Sequence, residues 1–480
     1  MKKILLFLLL STSLFAKSDM PLVYLTWHND PNTTMCIKWI TNDQDTTNRV
    51  SYAQKKKDAP WIQVEASNTA VPIAPNHLLH TIELQNLLPD TKYQFRIGSN
   101  KTPLYFRTMP LDLTAPIRFI AGADANNGHQ KRFRAMCQQA AKQNPRFAII
   151  GGDIAYSIPH KDKEVPEDFS RWKNFFRCWS EEMKTPDGCI IPLFTSIGNH
   201  EAHGKNNPLA EKAPLFYTFF DKGYYDFGFG NYAHFTFLDS GHTNAIKGKQ
   251  TDWLKTNLQN HKYFLHRFVT YHVGAYPSTG KFNDHLRKAV REHWVPLFEK
   301  YRIHACFEGH DHAYKRTHPL KNGKIDPSGV VYFGDGSWGV SPRAVKHAPY
   351  IATAKASQQV LVVELSNLGR KFWAIDPDGK LIDYYEQNIM SIDNLQSRHV
   401  QSEDNQYVNP EVTKPTGSIN EIIHAHWEAY MRSMGLDPNN PPPPKEQEPF
   451  QLPRTHTCGH PYVVDKIEQI LVPKDTPSDG

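Results

Sequence analysis

One device recurs between residues 117 and 312: a short apolar run that stops at a side chain able to hold a metal. Of the six runs "IRFIAGAD", "RFAIIGGD", "PLFTSIGNH", "YAHFTFLDS", "FVTYHVG" and "IHACFEGHDH", five end in this way. Their lengths and their β-branched and aromatic content fit buried strands, and helical stretches at 131–143 and 286–301 alternate with them. The alternation predicts a layered α/β domain. Ligands in such folds gather beyond the carboxyl ends of the strands. That is where the runs deliver Asp124, Asp153, Asn199, His272 and the pair His310 and His312.

Taken singly, each ending has an ordinary explanation. Asp124 suits a helix N-cap and Asp153 a Gly-Gly-Asp turn, "GNHE" at 198–201 a loop, His272 a core histidine and "GHDH" at 309–312 a pair of surface histidines. Together they read differently. Two carboxylates, an amide, three imidazoles and the phenol of Tyr156, all at strand ends, are the inventory of a two-metal site.

In chain order, Asp124 in "GADAN", then "GDIAY" (152–156), "GNHE", "VTYH" (269–272) and "GHDHAYKRT" (309–317) resemble the blocks of the purple acid phosphatases, a branch of the metallophosphoesterases. The resemblance covers about residues 117–376 and the module before them, and the spacers "YYDFGFGNYAHFTFLDS" and "QTDWLKTNL" fit it. It implies an N-terminal β-sandwich followed by an α/β metallophosphoesterase domain of two sheets flanked by helices. It implies that Asp124, Asp153, Tyr156 and His312 hold one ion, that Asp153, Asn199, His272 and His310 hold a second, and that Asp153 bridges. The oxygen-rich first set, with its phenolate, suits Fe(III); the second suits a divalent Zn, Fe or Mn ion. His200 would contact phosphate, aiding binding or protonating the leaving group. His285 in "KFNDH" is the nearest candidate for a further family histidine. The implied reaction is in-line attack of a metal-bound hydroxide on a small phosphorylated substrate. One departure stands out: the family's Asp-x-Gly is Asp-Ala-Asn here, and Asn126 is expected to supply the left-handed backbone a glycine would.

Residues from about 20 to 110 alternate apolar and polar in short runs such as "TMCIKWIT" and "RVSYAQ". "NLLPDTKYQFRIG" resembles the tyrosine corner of fibronectin type III-like sandwiches, with Tyr93 bonded back to the backbone and Trp39 as the core tryptophan of the facing sheet. "MPLDLTAP" reads as the linker to a catalytic domain at 117–387. The opening "MKKILLFLLLSTSLFAKS" reads as a signal peptide cleaved after Ala16, too short in its apolar part to span a bilayer. That predicts a secreted or periplasmic protein without a membrane span. Export permits disulfides, and a Cys178–Cys189 bridge across a short polar loop is expected, with Cys36 and Cys306 buried. The net charge of +6 shows no basic stripe of the kind nucleic-acid binders carry.

The extension at 388–480 holds "SINEIIHAHWEAYMRSMG", an amphipathic helix with a capping box at Ser418 and Glu421, and the spacer "NNPPPPKEQEP". It is expected to wrap the catalytic domain or a second subunit, the latter making a homodimer. "HTCGH" at 456–460 has too few ligands for a zinc site. The leading expectation is an acid phosphatase acting on phosphate monoesters. The alternatives are a phosphodiesterase or lipid-directed esterase with the same metals, and a binding module that keeps the scaffold without turnover.

Overall fold

The computed structural model describes residues 22–42, 47–158, 167–203, 209–334 and 336–389. The signal segment, the C-terminal helix, its proline-rich spacer and Cys458 lie outside the described residues.

The N-terminal module is a sandwich of two four-stranded antiparallel sheets. One is ordered Leu22–Thr26, Met35–Asn42, His77–Leu84, Ser67–Ala70; the other Ile62–Glu65, Arg49–Gln54, Lys92–Ile97, Leu104–Arg107. Period-two alternation explains the core: Tyr93, Phe95 and Ile97 point inward while Lys92, Gln94 and Arg96 face outward. The tyrosine corner is present, the Tyr93 hydroxyl accepting from the Leu88 N–H at 2.9 Å. Trp39 is fully buried in the facing sheet and stacks on His80, its cross-strand neighbour, at 4.8 Å.

The following domain contains two sheets packed face to face. The first is ordered Leu193–Ser196, Phe147–Gly151, Ile117–Gly122, Val360–Ser366, Gly369–Ile375, Leu381–Asn388, and its first three strands run parallel. The second is ordered Tyr225–Phe229, Ala233–Phe237, His266–Val273, Ala305–Gly309, Val331–Gly334, Tyr314–Thr317, Ile351–Lys355, with a parallel run from Ala233–Phe237 to Val331–Gly334. Phenylalanines fill the space between the sheets. The ring of Phe119 meets Phe147, Phe235, Phe268 and Phe307 at 5.0, 5.1, 5.7 and 5.8 Å. Helices Gln130–Lys142 and Phe169–Glu182 cover the outer face of the first sheet. Helices Lys249–Asn260, His285–His293 and Val295–Lys300 cover that of the second. All six apolar runs form strands, and their carboxyl ends meet along one edge.

Two expectations are corrected. The helix expected over 286–301 is two helices that meet at Trp294. Pro296 cannot donate an amide into a continuing helix, and Trp294 instead donates from its ring to Thr251 Oγ1 at 3.0 Å. Cys178 and Cys189 are both free thiols. Cys178 lies on the buried face of its helix, among the residues packed beneath the first sheet, whereas the Cys189 thiol faces the Asp187 carboxylate at 3.8 Å.

The two domains share one core. Tyr24 stacks on Phe176 at 4.3 Å, and the buried Lys38 donates to Asp221 Oδ2 at 2.8 Å and to the Phe219 carbonyl at 3.0 Å. A cleft of about 410 Å³ at this junction, lined by Arg107, Arg118, Arg146 and Asp187 among others, sits at the amino ends of Ile117–Gly122 and Phe147–Gly151. It is the edge opposite to the one where the metal-capable residues meet.

Candidate metal centre

The loops after Ile117–Gly122 and Phe147–Gly151 continue the parallel pairing of their strands. Asp124 N–H donates to Gly152 O at 3.0 Å, Ala125 to Asp153 O at 2.8 Å and Asn126 to Ile154 O at 3.0 Å. That zipper brings the two carboxylates side by side at 0% and 1% exposure. The loop after Leu193–Ser196 then closes on Asp153, whose Oδ1 accepts the His200 N–H at 2.8 Å. A Cβ at Gly198 would lie 2.1 Å from the Asp153 nitrogen, so "GNHE" requires its glycine for lack of space.

The seven expected ligands are gathered in two adjoining groups. In the first, the Tyr156 hydroxyl lies 3.0 Å from Asp124 Oδ1 and 3.1 Å from His312 Nε2, and His312 Nε2 lies 3.0 Å from Asp124 Oδ1. In the second, His272 Nε2 lies 3.2 Å from both Asn199 Oδ1 and Asp153 Oδ2. Donor atoms of Asp153, His272 and His310 all fall within 4.8 Å of one another. The His272 Nδ1–H donates to Gly151 O at 2.9 Å, which turns Nε2 toward the cluster. His310 N–H donates to Asp124 Oδ2 at 2.8 Å, tying the groups together.

The electrostatics match a cation-binding role. Burial, reinforced by the Asp124 and Asp153 charges, pushes the Tyr156 phenol well above its usual value. Without a cation it stays protonated and donates to Asp124; a bound highly charged cation would make the phenolate available. Burial lowers His310 to about 4, helped by the neighbouring His272, leaving its lone pair free for coordination. Burial works against charge on His272 too, but Asp153 outweighs it and lifts that imidazole to about 9. The oxygen- and nitrogen-rich donor set therefore fits a pair of metal ions.

Five of the seven residues, Asp124, Asp153, Tyr156, His310 and His312, have positive φ between 50° and 78°. Their strain is offset by an anchor to which the sequence reading assigned no role. Glu201, fully buried, accepts the N–H groups of Ile154, Ala155 and Tyr156 at Oε1 (2.9, 3.2 and 3.3 Å) and that of Gly198 at Oε2 (3.1 Å). Its only sequence signal was its place beside two candidates in "GNHE". The segment after Val331–Gly334 was missed as well: at Gly336, φ 70°, a Cβ would fall 1.9 Å from Asp124 Oδ2. Asn126 corrects another expectation. It is not among the left-handed residues; Asp124 itself takes that conformation at φ 58°, and Asn126 is buried with Oδ1 accepting from Gly128 N–H at 3.3 Å.

The two histidines expected to meet substrate part company. His200 Nδ1–H donates to Ile158 O at 2.6 Å, its ring lies 4.4 Å from that of Tyr156, and Nε2 faces Asp153 Oδ2 at 4.0 Å. His285 is instead 84% exposed at a helix start, paired with Asp284 at 3.7 Å. An N-terminal helical position, not the loop before it, carries the side chain into solvent.

Comparison with known proteins agrees with this architecture. The family model of the purple acid phosphatase N-terminal domain matches residues 21–108, and that of the calcineurin-like phosphoesterases matches 112–314. Purple acid phosphatase 18 of Arabidopsis thaliana is 25% identical over 322 residues, spanning 63% of this chain and 68% of that protein. Purple acid phosphatase 23 of the same plant is 24% identical over 295 residues, spanning 54% and 62%. The fold is that of purple acid phosphatase PPD1 from yellow lupin seeds, with TM-score 0.64 and 16% identity over 76% of this chain and 74% of that one. The structure of PhoD is similar at TM-score 0.58 and 12% identity, over 87% and 98%. Sandwich, paired sheets and clustered donors thus have one common reading: the chain belongs to the purple acid phosphatase family and is a phosphoric ester hydrolase, of a kind that implies a binuclear metal centre.

Proposed function

We propose that this chain is an exported acid phosphatase that hydrolyses phosphate monoesters. The observation that carries the reading is the meeting of Tyr156, Asp124 and His312 within 3.0–3.1 Å, beside Asp153, Asn199 and His272 at 3.2 Å. The first group would hold Fe(III) and the second a divalent Zn, Fe or Mn ion, with Asp153 between them. Such a pair supplies Lewis-acid stabilisation of phosphate oxygens and activates water.

The remaining work falls to the protein. His200, its Nδ1–H fixed on Ile158 O, would as an imidazolium present Nε2–H to a phosphate oxygen or hand that proton to the departing alkoxide. Glu201 holds the ligand loops in place, so little reorganisation is needed as charge develops. Among the described residues no helix is long and apolar enough to cross a membrane. The apolar opening segment, read as an export signal, is what supports a secreted or periplasmic location.

The test is hydrolysis of 4-nitrophenyl phosphate and bis(4-nitrophenyl) phosphate by purified protein across pH, with elemental analysis. Monoester turnover with two metal equivalents is expected. Preference for the diester would favour the phosphodiesterase alternative, and no turnover at full metal content would favour a binding module. Tyr156→Phe should abolish the visible phenolate-to-iron absorption, and an unchanged band would remove Tyr156 from the ligand set.

A further inference from the structure

We infer that Arg343 forms an oxyanion subsite at the mouth of the metal cluster that distinguishes phosphate monoesters from diesters. The inference rests on the phosphoesterase reading above and deepens it.

Arg343 follows the strand Val331–Gly334 and is tied three times to the "GHDH" loop. Its backbone N–H donates to His312 O at 2.8 Å, Nη1 to His310 O at 3.2 Å, and Nη2 faces His312 Nε2 at 3.4 Å. Arg343 is exposed, yet its guanidinium turns back onto the loop that carries His310 and His312 instead of extending into solvent. The His312 Nε2 lone pair is the same one that Tyr156 and Asp124 surround. A cation in that donor set would take the lone pair, and the Nη2 N–H would then be free of its acceptor at the edge of the cluster.

The charge of Arg343 is also uncommitted. Among the described residues no carboxylate pairs with it. Arg287, in the same cleft, is the contrast: it is buried and neutralised by Asp311 at 2.5 Å. The cleft, about 380 Å³, is lined by Lys281, Arg287, His310 and Arg343 and by two carboxylates, Asp311 paired with Arg287 and Asp284 beside His285, and opens beside the cluster. Lys281 adds a second exposed cation. Arg343 thus stands beside two of the candidate ligands, His310 and His312, whereas His285 faces solvent.

The selectivity follows from counting oxygens. A phosphate monoester has three non-bridging oxygens and a diester two. Where paired cations clamp two of them, only the monoester has a third for the guanidinium. A planar guanidinium is suited to that contact and an ammonium less so. Loss of one charge-assisted hydrogen bond corresponds to about a 10- to 100-fold change in binding.

Arg343→Ala and Arg343→Lys test this on metal-loaded protein. Calorimetry should show inorganic phosphate binding weakened about 10- to 100-fold in Arg343→Ala and partly restored in Arg343→Lys. The kcat/KM for 4-nitrophenyl phosphate should fall by a similar factor, while that for bis(4-nitrophenyl) phosphate stays within about threefold. Metal content and the visible band should not change. Unaltered phosphate affinity, equal losses on both esters, or loss of metal in the alanine variant would each overturn the subsite. If the unmodified, fully metallated protein hydrolyses neither ester, the proposed function fails, and the phosphate calorimetry still decides the role of Arg343.

Discussion

The sandwich and the catalytic loops both contain non-glycine residues in the left-handed region, and they place them oppositely. In the sandwich these are Asp58, Ile73, Asn86 and Asp90, all exposed at turns. At the metal cluster they are Asp124, Asp153 and Tyr156, all at most 5% exposed, with His310 and His312 partly buried. At Asp58, Asn86 and Asp90 the cost is small, because Asp and Asn tolerate this backbone and water completes their hydrogen bonds; Ile73, β-branched, is the strained exception. Strain in a buried loop costs about 1–3 kcal/mol per residue and persists only where neighbours over-determine it. Glu201, the Asp124–Gly152 zipper and the glycine contacts provide that constraint. The sandwich is arranged for folding, the loops for aiming donors that folding alone would not bring together.

The most severe way to break this comparison is Asp153→Asn. If the loops exist to hold cations, removing the carboxylate that faces His272 and accepts from His200 should lower kcat at least about 1,000-fold and reduce bound metal. The circular dichroism of the fold should be retained. Full activity in this variant would show that the strained cluster has some other purpose.

The second largest effect belongs to the other side of the comparison. Trp39 is fully buried and stacked on His80, so Trp39→Ala should cost about 3–5 kcal/mol of stability. It should leave the kcat of the molecules that remain folded unchanged. A change in kcat would mean that the shared core transmits packing to the site, and the two regions would then not be separable.

What could be read from the sequence divides along the same line. Regular periodicity made the sandwich legible: Tyr93 and Trp39 occupy the positions their motif predicts. It also made the six strands and the gathering of the ligand candidates legible, because strand ends and residue chemistry are local properties. What failed depended on direction or on distant packing. Cys178 and Cys189 are eleven positions apart in sequence, yet helical packing turns Cys178 into a separate core. The left-handed residue of the first block is Asp124 and not Asn126, since the pairing with the Gly152 loop sets the backbone there. Glu201 was invisible as a partner because three of its four bonds reach a loop far away in the chain, and the bonds of Arg343 to the "GHDH" loop were hidden for the same reason.

The smallest of the three effects sharpens the comparison through pH. Glu167 lies beside the catalytic loops, accepting from Ser157 Oγ at 2.9 Å and from Leu215 N–H at 2.8 Å. Burial, only partly opposed by these bonds, raises its carboxyl from 4.5 to about 7. A carboxyl that is raised on folding holds its proton in the folded state where the unfolded chain has already lost it. Its contribution is therefore most favourable below pH 4.5, declines as pH climbs through about 7, and is constant above that. The span corresponds to about 3 kcal/mol. Glu167→Gln cannot ionise, so its stability relative to the unmodified protein should improve by about that amount between pH 4.5 and 7.5 in denaturant titrations. At the acid end the glutamine should be slightly worse, having only one oxygen for two donors. A pH-independent difference would mean that Glu167 is ionised throughout and that its burial is matched by its bonds. A slope of the stated sign would show that Glu167, beside the catalytic loops, keeps its proton on folding and contributes most to stability in acid, opposite in sense to the lowered carboxyl of Asp153.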